Sequence, residues 1–194
     1  MLPRGSISKV YKYYFTTTRF SDEVLQAMRE FFDRPDLDRG GFLETDEKSE
    51  GLFNEWFLYD FVLTNGKTTL ANFVAENPLN FSADEMAFYQ SLLETNAYGL
   101  YEILSIDINI GLMLKNLQTE VKIYVHEQKL TSQVKPGNIF FGRAGQVKDH
   151  YELIGADTFS LGKLGGTDKK FLHEMNLKLT PKIARDLWKE NQGS

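Results

Sequence analysis

The chain has 194 residues, a formal charge of -5 and 42% apolar residues, which suits one compact domain, or a helical unit beside a small β unit, and leaves disorder to the ends. It contains no cysteine, which excludes disulfides, cysteine-ligated zinc, iron–sulfur clusters and thiol catalysis and fits a reducing cytoplasm. No apolar run approaches the roughly 20 residues that span a bilayer, Met1 to Tyr14 carries charges and tyrosines in place of a secretion signal, and the acidic balance argues against wrapping nucleic acid.

Ile7, Val10, Tyr11 and Tyr14 fall at helical spacing and predict a helix near residues 6 to 15. Ser21 is placed to cap a second helix with Asp22 and Glu23 in its first turn and Val24, Leu25, Met28, Phe31 and Phe32 on its apolar face; Pro35 follows its end. Residues 35 to 46 read as an exposed acidic loop around Gly40-Gly41. From Gly51 to Leu63, five aromatics and four aliphatics give two apolar stripes, Phe53-Trp56-Phe57-Phe61 and Leu52-Tyr59-Leu63, which predict a core helix buried around most of its circumference. Thr68 or Thr69 then starts a short helix that Pro78 stops. Ser82 and Glu85 form a capping box for a helix to about Thr95.

After Asn96 the texture becomes β-rich. Leu100–Asp107, Ile110–Leu114, Val121–His126, Asn138–Arg143 and His150–Ile154 read as strands, and this many short strands in so few residues fit an SH3-like barrel or curled antiparallel sheet. Beyond Gly155 comes a glycine-bearing loop, and Thr180-Pro181 launches a last helix with Ile183, Ala184, Leu187 and Trp188. The expected fold is therefore α+β: a helical unit over 1–97, a small β unit over 98–160, and a loop with a C-terminal helix over 161–194, together one globule.

Asn65-Gly66-Lys67-Thr68-Thr69 holds the Gly-Lys-Thr of a phosphate-binding loop, but Phe61 stands where its first glycine belongs and a helix precedes it. Gly66 instead reads as a left-handed helix stop and Thr68 as a structural cap. Asp60, set among Phe57, Tyr59 and Phe61, needs a partner if buried, and the expectation is a structural one: amides or hydroxyls near Lys67 to Thr69. His126, His150 and His173 each neighbour an acid, yet none sits at metal-ligand spacing, and no Gly-x-Ser-x-Gly elbow exists. No cofactor is expected.

Charge is uneven. Asp36 to Asp60 holds eight acids against Arg39 and Lys48, whereas Gly162 to Glu190 holds seven bases against four acids. The glycine-rich Gly162–Lys170, with Arg143, Lys163, Lys169 and Lys170 as cations and Tyr124, Phe140, Phe141 and Tyr151 as rings, is the candidate surface for single-stranded nucleic acid.

Trp56, Asp60, Gly66 and Thr68 in a helical half, followed by Leu100-Tyr101-Glu102-Ile103 and Pro136-Gly137-Asn138-Ile139-Phe140-Phe141-Gly142-Arg143, resemble a group of poorly characterised bacterial cytoplasmic proteins, some of which carry a cysteine-rich SEC-C zinc motif. The resemblance covers about residues 50–155. It implies fold and compartment and no reaction, and without cysteines no zinc role transfers. The expected function is a non-catalytic module or adaptor for a protein partner, with nucleic-acid binding and a metal-dependent hydrolase or nuclease as alternatives and no membrane association.

Overall fold

Aromatic density organises the helical half. In the computed structural model, which describes residues 6–39, 45–155, 159–162 and 179–192, the chain divides between Leu93 and Glu94 into two units. The first contains α1 (Ser6–Thr16), a 3-10 turn at Thr18–Phe20, α2 (Ser21–Phe32), α3 (Glu47–Tyr59), α4 (Thr69–Glu76) and most of α5 (Ala83–Thr95). Phe57 on α3 is fully buried and meets the rings of Tyr14, Phe15, Phe53 and Phe61 at centroid distances of 5.5 to 6.0 Å. Each fully buried ring of this cluster contributes about 1.5–3 kcal/mol, and the half-exposed Phe15 contributes less.

Caps set where the helices begin and end. Asp46 Oδ1 accepts from the Ser49 amide at 2.8 Å and opens α3, and the Thr68 hydroxyl accepts from the Ala71 amide and opens α4. Ser82 and Glu85 form the reciprocal box: the Glu85 carboxylate accepts from the Ser82 amide and the Ser82 hydroxyl from the Glu85 amide. Ser21 is not a cap. It is the first residue of α2, because the 3-10 turn before it already delivers the chain into helical geometry.

The aromatic helix is shorter than its apolar run. Both Asp60 N and Phe61 N donate to Trp56 O, α3 stops at Tyr59, and Phe61–Leu63 run extended, with Val62 bridged to Thr68 around a turn at Gly66, whose φ is +81°. Asp60 is therefore a half-buried helix end, and the buried acid of the run is Glu55, 1% exposed.

Among the described residues the second unit is a barrel with one α-helix. Its strands are β1 (Ala97–Asp107), β2 (Gly111–Asn116), β3 (Lys122–His126), β4 (Ile139–Val147), β5 (His150–Leu153) and β6 (Phe159–Gly162), followed by α6 (Pro181–Gln192). The order is β1-β2-β3-β5-β4-β6, and β1 also pairs with β4, which closes the first five strands. β1 serves two neighbours: Ala97–Glu102 pair with β4 and Tyr101–Asp107 with β2, with a bulge between Ile103 and Ser105 that bends the strand. β3 and β5 run parallel through Val125↔Tyr151 and His126↔Glu152, so the sheet is mixed and its connectivity is Greek-key rather than that of a wholly antiparallel curl. A strand over 159–162 and four further residues of β4 extend the expected set.

The barrel interior is Tyr101, Ile103, Leu112, Leu114, Val125, Phe140 and Ala144. Outside it, Leu100, Leu117, Ile139 and Phe141 pack beneath Ala184 of α6. Thus α+β order is observed: helical region, sheet, C-terminal helix. Among the described residues no helix is long and apolar enough to cross a membrane.

One buried polar chain ties the helical unit together. Tyr14 Oη donates to Thr69 O at 3.0 Å and accepts from Asn72 Nδ2 at 2.9 Å, while Asn72 Oδ1 accepts from Asn65 Nδ2 at 2.7 Å. Burial, offset in part by the Asn72 bond, pushes the Tyr14 hydroxyl well above its ordinary pKa. Tyr14→Phe leaves a buried amide and a carbonyl without their partner and is expected to destabilise the protein by about 1–3 kcal/mol. Chemical denaturation checks this, and an unchanged midpoint would show the network to be idle.

Candidate functional site

Two surfaces collect groups able to bind something. The first lies in the helical unit, where two adjacent concavities of about 470 and 350 Å³ meet at Phe15 and Met28 as a two-part trough. α2 builds one wall. Its positions 21, 24, 25, 28 and 32 line the trough at helical spacing, while Ala27 and Phe31 on its other stripe enter the core. Tyr11 and Phe15 of α1 and Phe53 of α3 supply the rest of the apolar lining. Phe15 is 42% exposed even though its ring stacks on Phe57. Exposed carboxylates stand at the rim: Glu50 on α3, and Asp38 before it.

The second surface is the outside of β3 and β5. Strand alternation sends Val125 inward and Tyr124 and His126 outward. The parallel pairing of β3 with β5 then brings His150 over His126, their rings stacked at 4.3 Å and 19°, and Tyr124 meets His126 edge-on at 5.9 Å. Tyr124 is held in place by donating to Asp107 Oδ2 at 2.7 Å, and it crosses Gly111 so closely that a Cβ there would lie 2.9 Å from its ring and 2.3 Å from Val125 O. His150 lies between two acids, with Nδ1 3.0 Å from Asp149 and Nε2 2.9 Å from Glu152. Both contacts are hydrogen bonds only when both nitrogens carry protons, so this geometry belongs to the imidazolium. Asp149, then Glu152, raise the His150 pKa, and the His150 bond lowers that of Asp149.

The expected binding residues are dispersed. Arg143 is 2% exposed on the other outer face, its Nη1 donating to Asn96 Oδ1 at 2.7 Å and its guanidinium 5.3 Å from the Tyr98 ring, so it presents no surface to a ligand. Alternation explains its place, since Arg143 pairs with Tyr98 beside Phe141 and Leu100, the positions that α6 covers. Phe140 and Phe141 are core, and Tyr151 packs against the interior, leaving Tyr124 as the ring of that set on the outer face. Lys163, Lys169, Lys170 and His173 lie outside the described residues. The His126–His150 contact has no sequence-local signal, because 24 positions separate the two rings and only the parallel ladder joins them. Among the described residues, no three histidines, aspartates or glutamates gather in a way that could hold a metal ion.

Comparison with known protein families, with curated proteins and with solved structures finds no match. The resemblance over residues 50–155 therefore stands on its quoted motifs alone.

His150 couples the barrel's parallel closure to pH. Its proton is held more tightly folded than unfolded, so its contribution is complete below the ordinary value of 6.5 and is lost as pH rises through the higher folded value. Asp149 behaves oppositely, contributing above its ordinary 3.8 and fading as acid titrates the carboxylate. His150→Gln should accordingly lower the denaturation midpoint more at pH 6 than at pH 9; an equal loss at both would remove the ion-paired imidazolium.

Proposed function

We propose that this chain is a non-catalytic protein-binding module, an adaptor, whose contact surface is the trough of the helical unit. One observation carries the reading: α2 keeps Val24, Leu25 and Met28 only half-buried, lining with the exposed Phe15 two adjacent concavities of several hundred cubic ångströms. A large exposed phenylalanine beside a methionine and further rings is what protein-recognition surfaces use, since rings and thioethers give much contact area and adapt in shape. Zero cysteines support a cytoplasmic setting. The test is comparative capture by the wild type and by Met28→Asp, with circular dichroism to confirm the fold. A polypeptide retained by the wild type and lost by the variant supports the reading; identical captured sets reject it.

The outer face of the barrel favours a second reading. Tyr124, His126 and His150 form a row of flat rings, and five-stranded Greek-key barrels of OB type bind oligonucleotides on the face of strands 2 and 3, a fold-level analogy. Against it, Asp107, Asp149 and Glu152 sit against those same rings and oppose phosphates. Single-stranded DNA binding that weakens steeply with salt and with Tyr124→Ala would promote this reading over the first; a flat salt response would exclude it.

A further inference from the structure

We infer that the occupant of the trough is an amphipathic helix with basic residues beside its apolar stripe, supplied by another protein; this rests on the protein-binding reading above. Three features identify the occupant. The trough follows α2 from Ser21 to Phe32, about three turns at 1.5 Å per residue, which matches anchors at i, i+3 or i+4, and i+7 of a docked helix. Among the described residues its lining comes from α1, α2, α3 and the short segments before α3, with no strand edge. An extended peptide would leave its amides and carbonyls unpaired against phenylalanine and methionine, whereas a helix arrives with them already paired.

Charge settles the flank. Between Asp22 and Glu55 the described residues carry ten acids, namely Asp22, Glu23, Glu30, Asp33, Asp36, Asp38, Asp46, Glu47, Glu50 and Glu55, against Arg29, Arg34, Arg39 and Lys48. Arg34 pairs with Asp36 and Arg39 with Asp22, which removes two acids and two bases together, and Arg39 stands beside Asp38 on the trough. Glu50 and Asp38 stand exposed on the trough itself, so the rim attracts cations. The C-terminal helix of a second copy is a poor occupant even though Lys182, Arg185 and Lys189 make it basic, because Ala184 is fully buried against Leu100, Leu117, Ile139 and Phe141.

The experiment measures fluorescence anisotropy of synthetic helices of about 15 residues, the length at which isolated helices begin to hold. One carries Leu at i, i+3, i+7 and i+11 with Lys at flanking positions; the controls are its scramble and its Lys→Glu counterpart, all titrated with the full chain. The lysine helix should bind at least about tenfold more tightly than either control. Glu50→Gln with Asp38→Asn, two exposed changes that spare the core, should weaken it several-fold and flatten its salt dependence, and Met28→Asp should abolish it. Equal affinity for the scramble or for the glutamate helix, or no binding of the lysine helix, removes the basic helix as occupant. Binding that disappears as self-association rises with concentration assigns the trough to a second copy and overturns the inference. A Met28-dependent partner found by capture together with failure of the lysine helix would reject the helix class and leave the protein-binding reading intact.

Discussion

A strand that is apolar on both faces must be covered twice, and β4 meets that demand with two different coverings. Phe140 and Ala144 point into the barrel, where Tyr101, Leu112 and Val125 enclose them, while Ile139 and Phe141 point outward beneath Ala184. All seven residues from Ile139 to Gly145 are buried. The strand is also hydrogen-bonded on both sides, to β1 on one and to β5 and then β6 on the other. A polar side chain on such a strand needs a built-in partner, and Arg143 has one in Asn96, reached across the ladder from the residue just before β1.

That double burial explains which parts of the barrel were legible. Runs rich in Ile, Leu, Phe and Tyr marked the first five strands near their observed places because such residues fit a pleated, half-buried surface wherever the strand pairs. Pairing partners were not legible. Five short strands are compatible with a meander or with a Greek key, and what decides here is a parallel contact of two residue pairs, β3 to β5, together with the bulge that lets β1 serve both β2 and β4. Neither leaves a local mark. Arg143 was misjudged for the same reason: a lone arginine in a strand looks like a surface cation until the covering of its outer face is known.

In the helical unit the reciprocal cap at Ser82 and Glu85 and the single cap at Thr68 are legible in the sequence, whereas Ser21 lies inside α2 because a 3-10 turn precedes it. The aromatic run shows the limit of periodicity. Asp60 has rings for neighbours in sequence, but neighbours in sequence point in different directions on a helix. Glu55 shares its face with Leu52, Leu58 and Tyr59 at spacings of three and four, all of them buried, and that pattern marks it as the enclosed acid.

The two candidate surfaces differ in what their polar groups still have to offer. On the barrel, Asp107 is occupied by Tyr124, and Asp149 and Glu152 by His150, so a ligand would meet rings whose charges are largely answered within the protein. At the trough Phe15 keeps much of its ring in solvent, and Glu50 and Asp38 stand exposed beside it. Association draws on apolar area that water still covers and on charge that no internal partner has neutralised. Of the two surfaces the helical trough offers both together, whereas the charges of the barrel face are spent on holding His150 and Tyr124 in place.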